Sequence, residues 1–96
     1  MEPANSDITV SDVVVSRAGR DQGEWFYVID ADETYLLLVN GKDRPLDKPK
    51  RKKRKHAQLV LRSETRVAVK LKSGDKVLNG ELRRDLAFLA REFASE

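Results

Sequence analysis

The chain has no cysteine, one histidine and three prolines, and its apolar stretches are all short. The absence of cysteine excludes disulfides, a thiolate nucleophile and the common cysteine-based structural zinc sites, and it fits a reducing compartment. With His56 as the single histidine there is no histidine pair for a metal. A serine nucleophile would have no base other than a residue standing among lysines and arginines. No stretch approaches the roughly 20 apolar residues that cross a bilayer. The opening residues, Met1 to Asp7, have neither the basic start nor the apolar run of a secretory signal, so a cytoplasmic protein is expected.

Charge is plentiful. Charged residues make up 36% of 96 residues, enough to ionise most of the surface that one modest core leaves exposed, so a single domain without a large substrate pocket is expected. The net charge is +3, but Lys48, Lys50, Arg51, Lys52, Lys53, Arg54 and Lys55 carry seven positive charges with only Pro49 between them, which leaves −4 for the rest of the chain. Such segregation attracts polyanions even though the whole protein is nearly balanced. The acidic cluster Asp30, Asp32 and Glu33 lacks the glycine and the distal bidentate glutamate of a calcium loop and reads as a turn. No metal or other cofactor is expected, and with neither paired carboxylates nor a metal cluster at usable spacing, no catalytic role is expected either.

Along the chain, residues 1–7 read as a flexible tail. The β-branched run Val13, Val14 and Val15 predicts a strand, followed by a polar loop with Gly19 and Gly23. Trp25–Ala31 and 34–39 predict two strands around the acidic turn. Asn40-Gly41 has the chemistry of a type I′ turn and predicts a further short strand over Lys42 to Leu46. Residues 57–61 complete five short strands, which together suggest a small β-barrel. Leu82, Leu86, Leu89 and Phe93 fall on one helical stripe, with Asn79 as its predicted N-cap. Residues 64–72 read as a helix capped by Ser63 and ended by Gly74, although Val67, Val69 and Leu71 also alternate as a strand would. The expected organisation is α+β: a barrel over 8–62 carrying the basic segment 48–56, then a helical extension over 63–96.

The basic segment has the chemistry of a phosphate-binding element. Lysine and arginine neutralise phosphates and release counterions, so contact by about half of the seven charges would give a log–log salt slope of roughly −2 to −3 on a single strand. Arg17 and Arg20 can fork onto phosphate oxygens, and Gly19 and Gly23 can take positive φ and turn backbone N–H groups toward an anion. Lys42 and Arg44 would extend a basic strip toward Lys48. Trp25 and Tyr27 share one strand face and could stack on bases, but a small barrel needs aromatic residues for its core, and packing in the core or at its rim is the better reading.

The stretch from Asp12 to Val28, an apolar strand, a basic turn, a glycine at Gly23 and a second apolar strand, resembles the KOW motif. Together with Ser16-Arg17-Ala18-Gly19-Arg20-Asp21, Asn40-Gly41-Lys42, Arg44, Pro49 before the basic run, and Lys55-His56, it resembles small bacterial KOW-domain RNA-binding proteins. These in turn are similar to large-subunit ribosomal proteins of the archaeal and eukaryotic type. The resemblance spans about Val10 to Phe93 and extends to the helix start Leu78-Asn79-Gly80-Glu81-Leu82-Arg83. It implies an SH3-like KOW barrel and a cytoplasmic, ribosome-associated role in translation, with large-subunit ribosomal RNA as the partner. The RNA-binding residues would be Arg17, Gly19, Arg20, Gly23, Lys42, Arg44, Lys48, Lys50, Arg51, Lys52, Lys53, Arg54, Lys55 and His56. Gln22 stands where many relatives place lysine, which weakens phosphate contact at the tip of that loop or shifts it to Arg20. No small-molecule substrate or membrane partner is implied. The rival expectation is an SH3-like protein-interaction module in transcription or translation, whose leucine stripe would be partly exposed.

Overall fold

The computed structural model describes residues 7–94. The expected tail over 1–7 therefore lies, apart from Asp7, outside the described residues, as do positions 95 and 96 of the helical extension. Five strands, β1 (Asp12–Ser16), β2 (Trp25–Ala31), β3 (Tyr35–Val39), β4 (Lys50–Lys53) and β5 (Ala57–Arg62), form one antiparallel sheet in the order β4-β3-β2-β1-β5. A 3₁₀ turn, Arg54–His56, is all that joins β4 to β5. Those two strands are the opposite edges of the sheet. In a flat sheet they would stand about 19 Å apart, four spacings of about 4.8 Å, whereas the chain from Lys53 to Ala57 reaches at most about 14 Å. The sheet must therefore curl, and register shifts between Val13 and Val14 and between Val28 and Asp30 supply local bends. The edges approach each other without pairing, so the sheet is curled but open.

The curl separates two cores. Val14, Phe26, Val28, Leu36, Leu38 and Ala57 fill the concave side together with Ile8. Val13, Tyr27 and Val39 face the other way and pack against two helices, α1 (Arg66–Ser73) and α2 (Asn79–Ala94), through Val67, Ala68, Leu82 and Leu86. Covering both faces of β1 buries all five of its residues, which is why its valine run does not alternate with polar residues.

The predicted strand over Lys42 to Leu46 does not form. Residues 40–49 are an irregular loop, and the fourth strand is the lysine-rich Lys50–Lys53 itself. The cause is local. Asn40 Oδ1 accepts the N–H groups of both Lys42 and Arg44 at 3.0 Å, curling the chain into a side-chain-capped turn instead of a two-residue hairpin. Pro45 and Pro49 cannot donate to a ladder. Gly41, at φ +76°, lies so close to the start of α2 that a Cβ there would overlap the Asn79 carbonyl oxygen.

Residues 66–73 are helical as expected, with two details changed. Thr65, not Ser63, caps α1, its Oγ1 accepting the Ala68 N–H at 3.3 Å, and Gly74 closes it at φ +74°. Asn79 is not a cap but the first residue of α2, and its Oδ1 accepts the Leu46 N–H at 2.8 Å, tying the 40–49 loop down. Glu81 takes over at the helix start: Oε1 accepts the Leu78 N–H at 3.2 Å and Oε2 pairs with Lys70 at 3.0 Å. Of the anticipated stripe, Leu82 and Leu86 are buried and Leu89 packs beside them, whereas Phe93 is exposed at the end of α2. Tyr27 links sheet and helices, its hydroxyl meeting Ser63 Oγ at 2.8 Å, Thr65 Oγ1 at 3.1 Å and the Asp85 carboxylate. Among the described residues no helix is long and apolar enough to cross a membrane.

Candidate nucleic-acid interface

In β4 the side chains alternate, so the four cations divide by face. Lys50 and Lys52 turn toward the loop that joins β1 to β2, while Arg51 and Lys53 are exposed. Lys52 is only 7% exposed, a level at which a lysine persists only when paired. Its ammonium donates to Ser16 Oγ at 2.7 Å, to the Ala18 carbonyl at 2.7 Å and to Asp21 Oδ1 at 2.8 Å, which uses all three of its protons. Lys50 Nζ stands 2.7 Å from the other Asp21 oxygen. Burial alone would raise the Asp21 carboxyl, but the Lys50 ammonium beside it and hydrogen bonds from Lys52 and Ser16 outweigh it and hold the group well below the usual carboxylate range. Asp21 and Lys52 thus form a latch that fastens the 17–24 loop to the basic strand.

A second set of bonds fastens the same loop to the 3₁₀ turn. The Arg17 N–H donates to the His56 carbonyl at 2.8 Å, and Arg17 Nε donates to Gln58 Oε1 at 2.7 Å, which aims an exposed guanidinium across the start of β5. The glycine loop and the basic run, with Asp21 and Lys52 31 residues apart in sequence, are therefore tied together. Arg17, Arg20, Arg51, Lys53 and Lys55 are the exposed cations of the two segments, Arg51 and Lys53 on the face of β4 turned away from the loop, and among the described residues Arg20, Lys53 and Lys55 have no ion pair.

The remaining candidates are placed differently. The basic segment forms a strand and a 3₁₀ turn, held where Arg54 donates to the Asp32 carbonyl at 2.6 Å and to the Ile8 carbonyl at 2.8 Å, and where Arg51 lies over the Tyr35 ring at 3.7 Å. Gly19 and Gly23 take the expected positive φ, +87° and +90°. The Gly23 N–H, however, is spent on the Ser16 carbonyl at 2.8 Å and is not presented to an anion. Lys42, Arg44 and Lys48 sit in the 40–49 loop docked on α2, a second cationic region reached through Gly41 rather than along a strand. His56 contributes its backbone carbonyl to the joint. Asp32 turns out to be a turn former: its Oδ1 accepts the Thr34 and Tyr35 N–H groups, and these bonds lower its carboxyl.

Sequence reasoning missed Asp21, Gln58 and Tyr35, the partners that fix Lys52, Arg17 and Arg51. The strand period of Lys50-Arg51-Lys52-Lys53 carried a signal for the first, since two of four lysine or arginine side chains facing inward require a buried acceptor. Tyr27 is fully buried, as its core reading requires, whereas Trp25 is half-buried at the rim and meets Phe93 edge-on, with ring centroids 5.4 Å apart.

No model of a known protein family matches this chain, and no curated protein matches it significantly.

Proposed function

We propose that this protein binds RNA, with an SH3-like barrel of the KOW type as the scaffold and ribosomal RNA of the large subunit as the target, in the cytoplasm. The observation that carries the proposal is the latched surface. Lys52 and Asp21 hold the 17–24 loop, with its exposed Arg17 and Arg20, against one face of the basic strand, while Arg51 and Lys53 project from the other face and Lys55 from the turn that follows. A frame with cations on both sides of one strand suits the shape of a folded phosphate backbone. The strand order supports the scaffold reading, since β1 pairs with both β2 and β5 and a 3₁₀ turn precedes the last strand. No reaction is proposed. The 40–49 loop, with Lys42, Arg44 and Lys48, would add a second point of contact.

The alternative, a protein-interaction module working through the helices, calls for a partly exposed leucine stripe. Leu82 and Leu86 are buried, but Phe93 at the end of the stripe is exposed, as are Val69, Leu78 and Phe88 on and beside the helices, so this reading stands as the rival. Sedimenting lysate through a density gradient at low and high salt, with detection of the protein in each fraction, tests the proposal. Co-migration with the large subunit at low salt and release at high salt is expected. A protein that stays at the top of both gradients overturns the ribosomal assignment.

A further inference from the structure

Beside the latched loop, an open groove of about 360 Å³ runs between β1, β5 and the end of α2, lined by Val15, Arg17, Trp25, Gln58, Leu59 and Phe93 among others. Its chemistry differs from the rest of the cationic surface. One wall is aromatic, with Phe93 53% exposed and Trp25 set edge-on against it. The opposite side carries the Arg17 guanidinium, which spends its Nε proton on Gln58 and keeps the protons of its two terminal nitrogens. The exposed Gln58 amide supplies further donors and an acceptor. Gly23 lines the rim with open space where a Cβ would stand.

We infer that this groove receives a single unpaired nucleobase of the bound RNA, which stacks on the exposed Phe93 ring beside Trp25 while Arg17 takes the adjacent phosphate. The inference rests on the RNA-binding reading and deepens it, from recognition of backbone charge to recognition of an extruded base. Charge decides the class of occupant. An apolar peptide would use the aromatic wall but leave the guanidinium facing it without an anion. A nucleotide satisfies both, with a flat π surface and a phosphate one ribose away. The volume lies at the lower end of the range for small-ligand sites, which suits one base and its sugar and excludes a duplex. Stacking on aromatic side chains is sequence-tolerant, so the subsite would select single-stranded or bulged structure over a particular base.

Trp25 is the chain's only tryptophan, so its emission reports on the groove alone. The test titrates the full chain at low salt with a mixed-sequence single-stranded ribo-oligonucleotide and with a blunt RNA duplex of equal charge, recording Trp25 fluorescence and affinity by gel shift. Quenching by the single strand and little change with the duplex are expected. Phe93→Ala, a change at an exposed position, is expected to weaken the single strand on the order of tenfold and to leave the duplex unchanged. If both RNAs bind without quenching, or if Phe93→Ala weakens both equally, the base subsite is overturned while the RNA-binding reading stands. If neither RNA shifts in the gel, the RNA-binding reading itself fails, and the subsite with it.

Discussion

Replacing Asp21 with asparagine isolates the latch. The change keeps the shape of the side chain but leaves the Lys52 ammonium, 7% exposed, facing Ser16 Oγ, the Ala18 carbonyl and a neutral amide. Removing one partner of a buried ion pair costs about 3–5 kcal/mol, because the remaining charge is uncompensated. The Lys50 pair, with that lysine's side chain 24% exposed, adds at most about 1 kcal/mol. The Lys52 side chain is long enough to swing partly into water, so a loss near 3 kcal/mol is expected. For a domain of this size that corresponds to a fall in Tm of about 12–24 °C. Urea unfolding followed by circular dichroism measures it directly. The double variant D21N/K52M, which removes the stranded charge as well, should recover part of the loss. Because the folded Asp21 carboxyl is depressed, its contribution is present above the unfolded value of about 3.9 and is lost as pH falls. The gap between wild type and Asp21→Asn should thus be constant above about pH 5 and shrink below about pH 4. A loss under about 1 kcal/mol, a gap independent of acid, or a double variant no more stable than Asp21→Asn would refute the buried latch.

Changing Lys53 and Lys55 together to glutamine removes two exposed charges and should reduce the log–log salt slope of RNA binding by about 1.4, with stability held within about 0.5 kcal/mol; fluorescence anisotropy across a salt series measures the slope. Gly41→Ala forces a Cβ into the Asn79 carbonyl at φ +76° and should cost more than about 1 kcal/mol, visible as an earlier urea midpoint, because the α2 backbone cannot move aside. The Tyr27 phenol is pushed up, mainly by burial and then by Asp85, so its stabilising effect is present below about pH 10 and is lost as pH rises beyond that. In a Tyr35→Phe background, absorbance at 295 nm should show no phenolate until the protein unfolds in alkali.

The sequence made the strands and helices legible wherever burial imposed a period. Val13 to Val15, Trp25 to Ala31 and the Leu82-Leu86-Leu89 stripe follow from one or two apolar faces seeking cover. It misled where a side chain chose between competing backbone partners. Asn40-Gly41 has the composition of a hairpin turn, but Asn40 Oδ1 is within reach of the N–H groups of Lys42 and Arg44, and α2 packs onto Gly41; neither is visible in a dipeptide. The basic run is not among the predicted strands, because lysine fits neither a strand propensity nor a core. What makes it a strand is Asp21, 31 residues from Lys52, together with the Leu36 and Leu38 ladder beside it. The candidate surface was legible as two charged segments, whereas their union through Arg17 and His56 depends on tertiary contacts.

β1 has a further significance through the position of its second neighbour. It pairs with β2 almost at once, but its other edge waits for β5, with Asp12 opposite Arg62. Until the 40 residues between the two strands have been made and folded back, three consecutive valines present an uncovered apolar edge, the kind of template on which a second chain can pair. The intervening segment ends in the lysine-rich stretch, and the mutual repulsion of such stretches on full-length unfolded chains opposes that pairing.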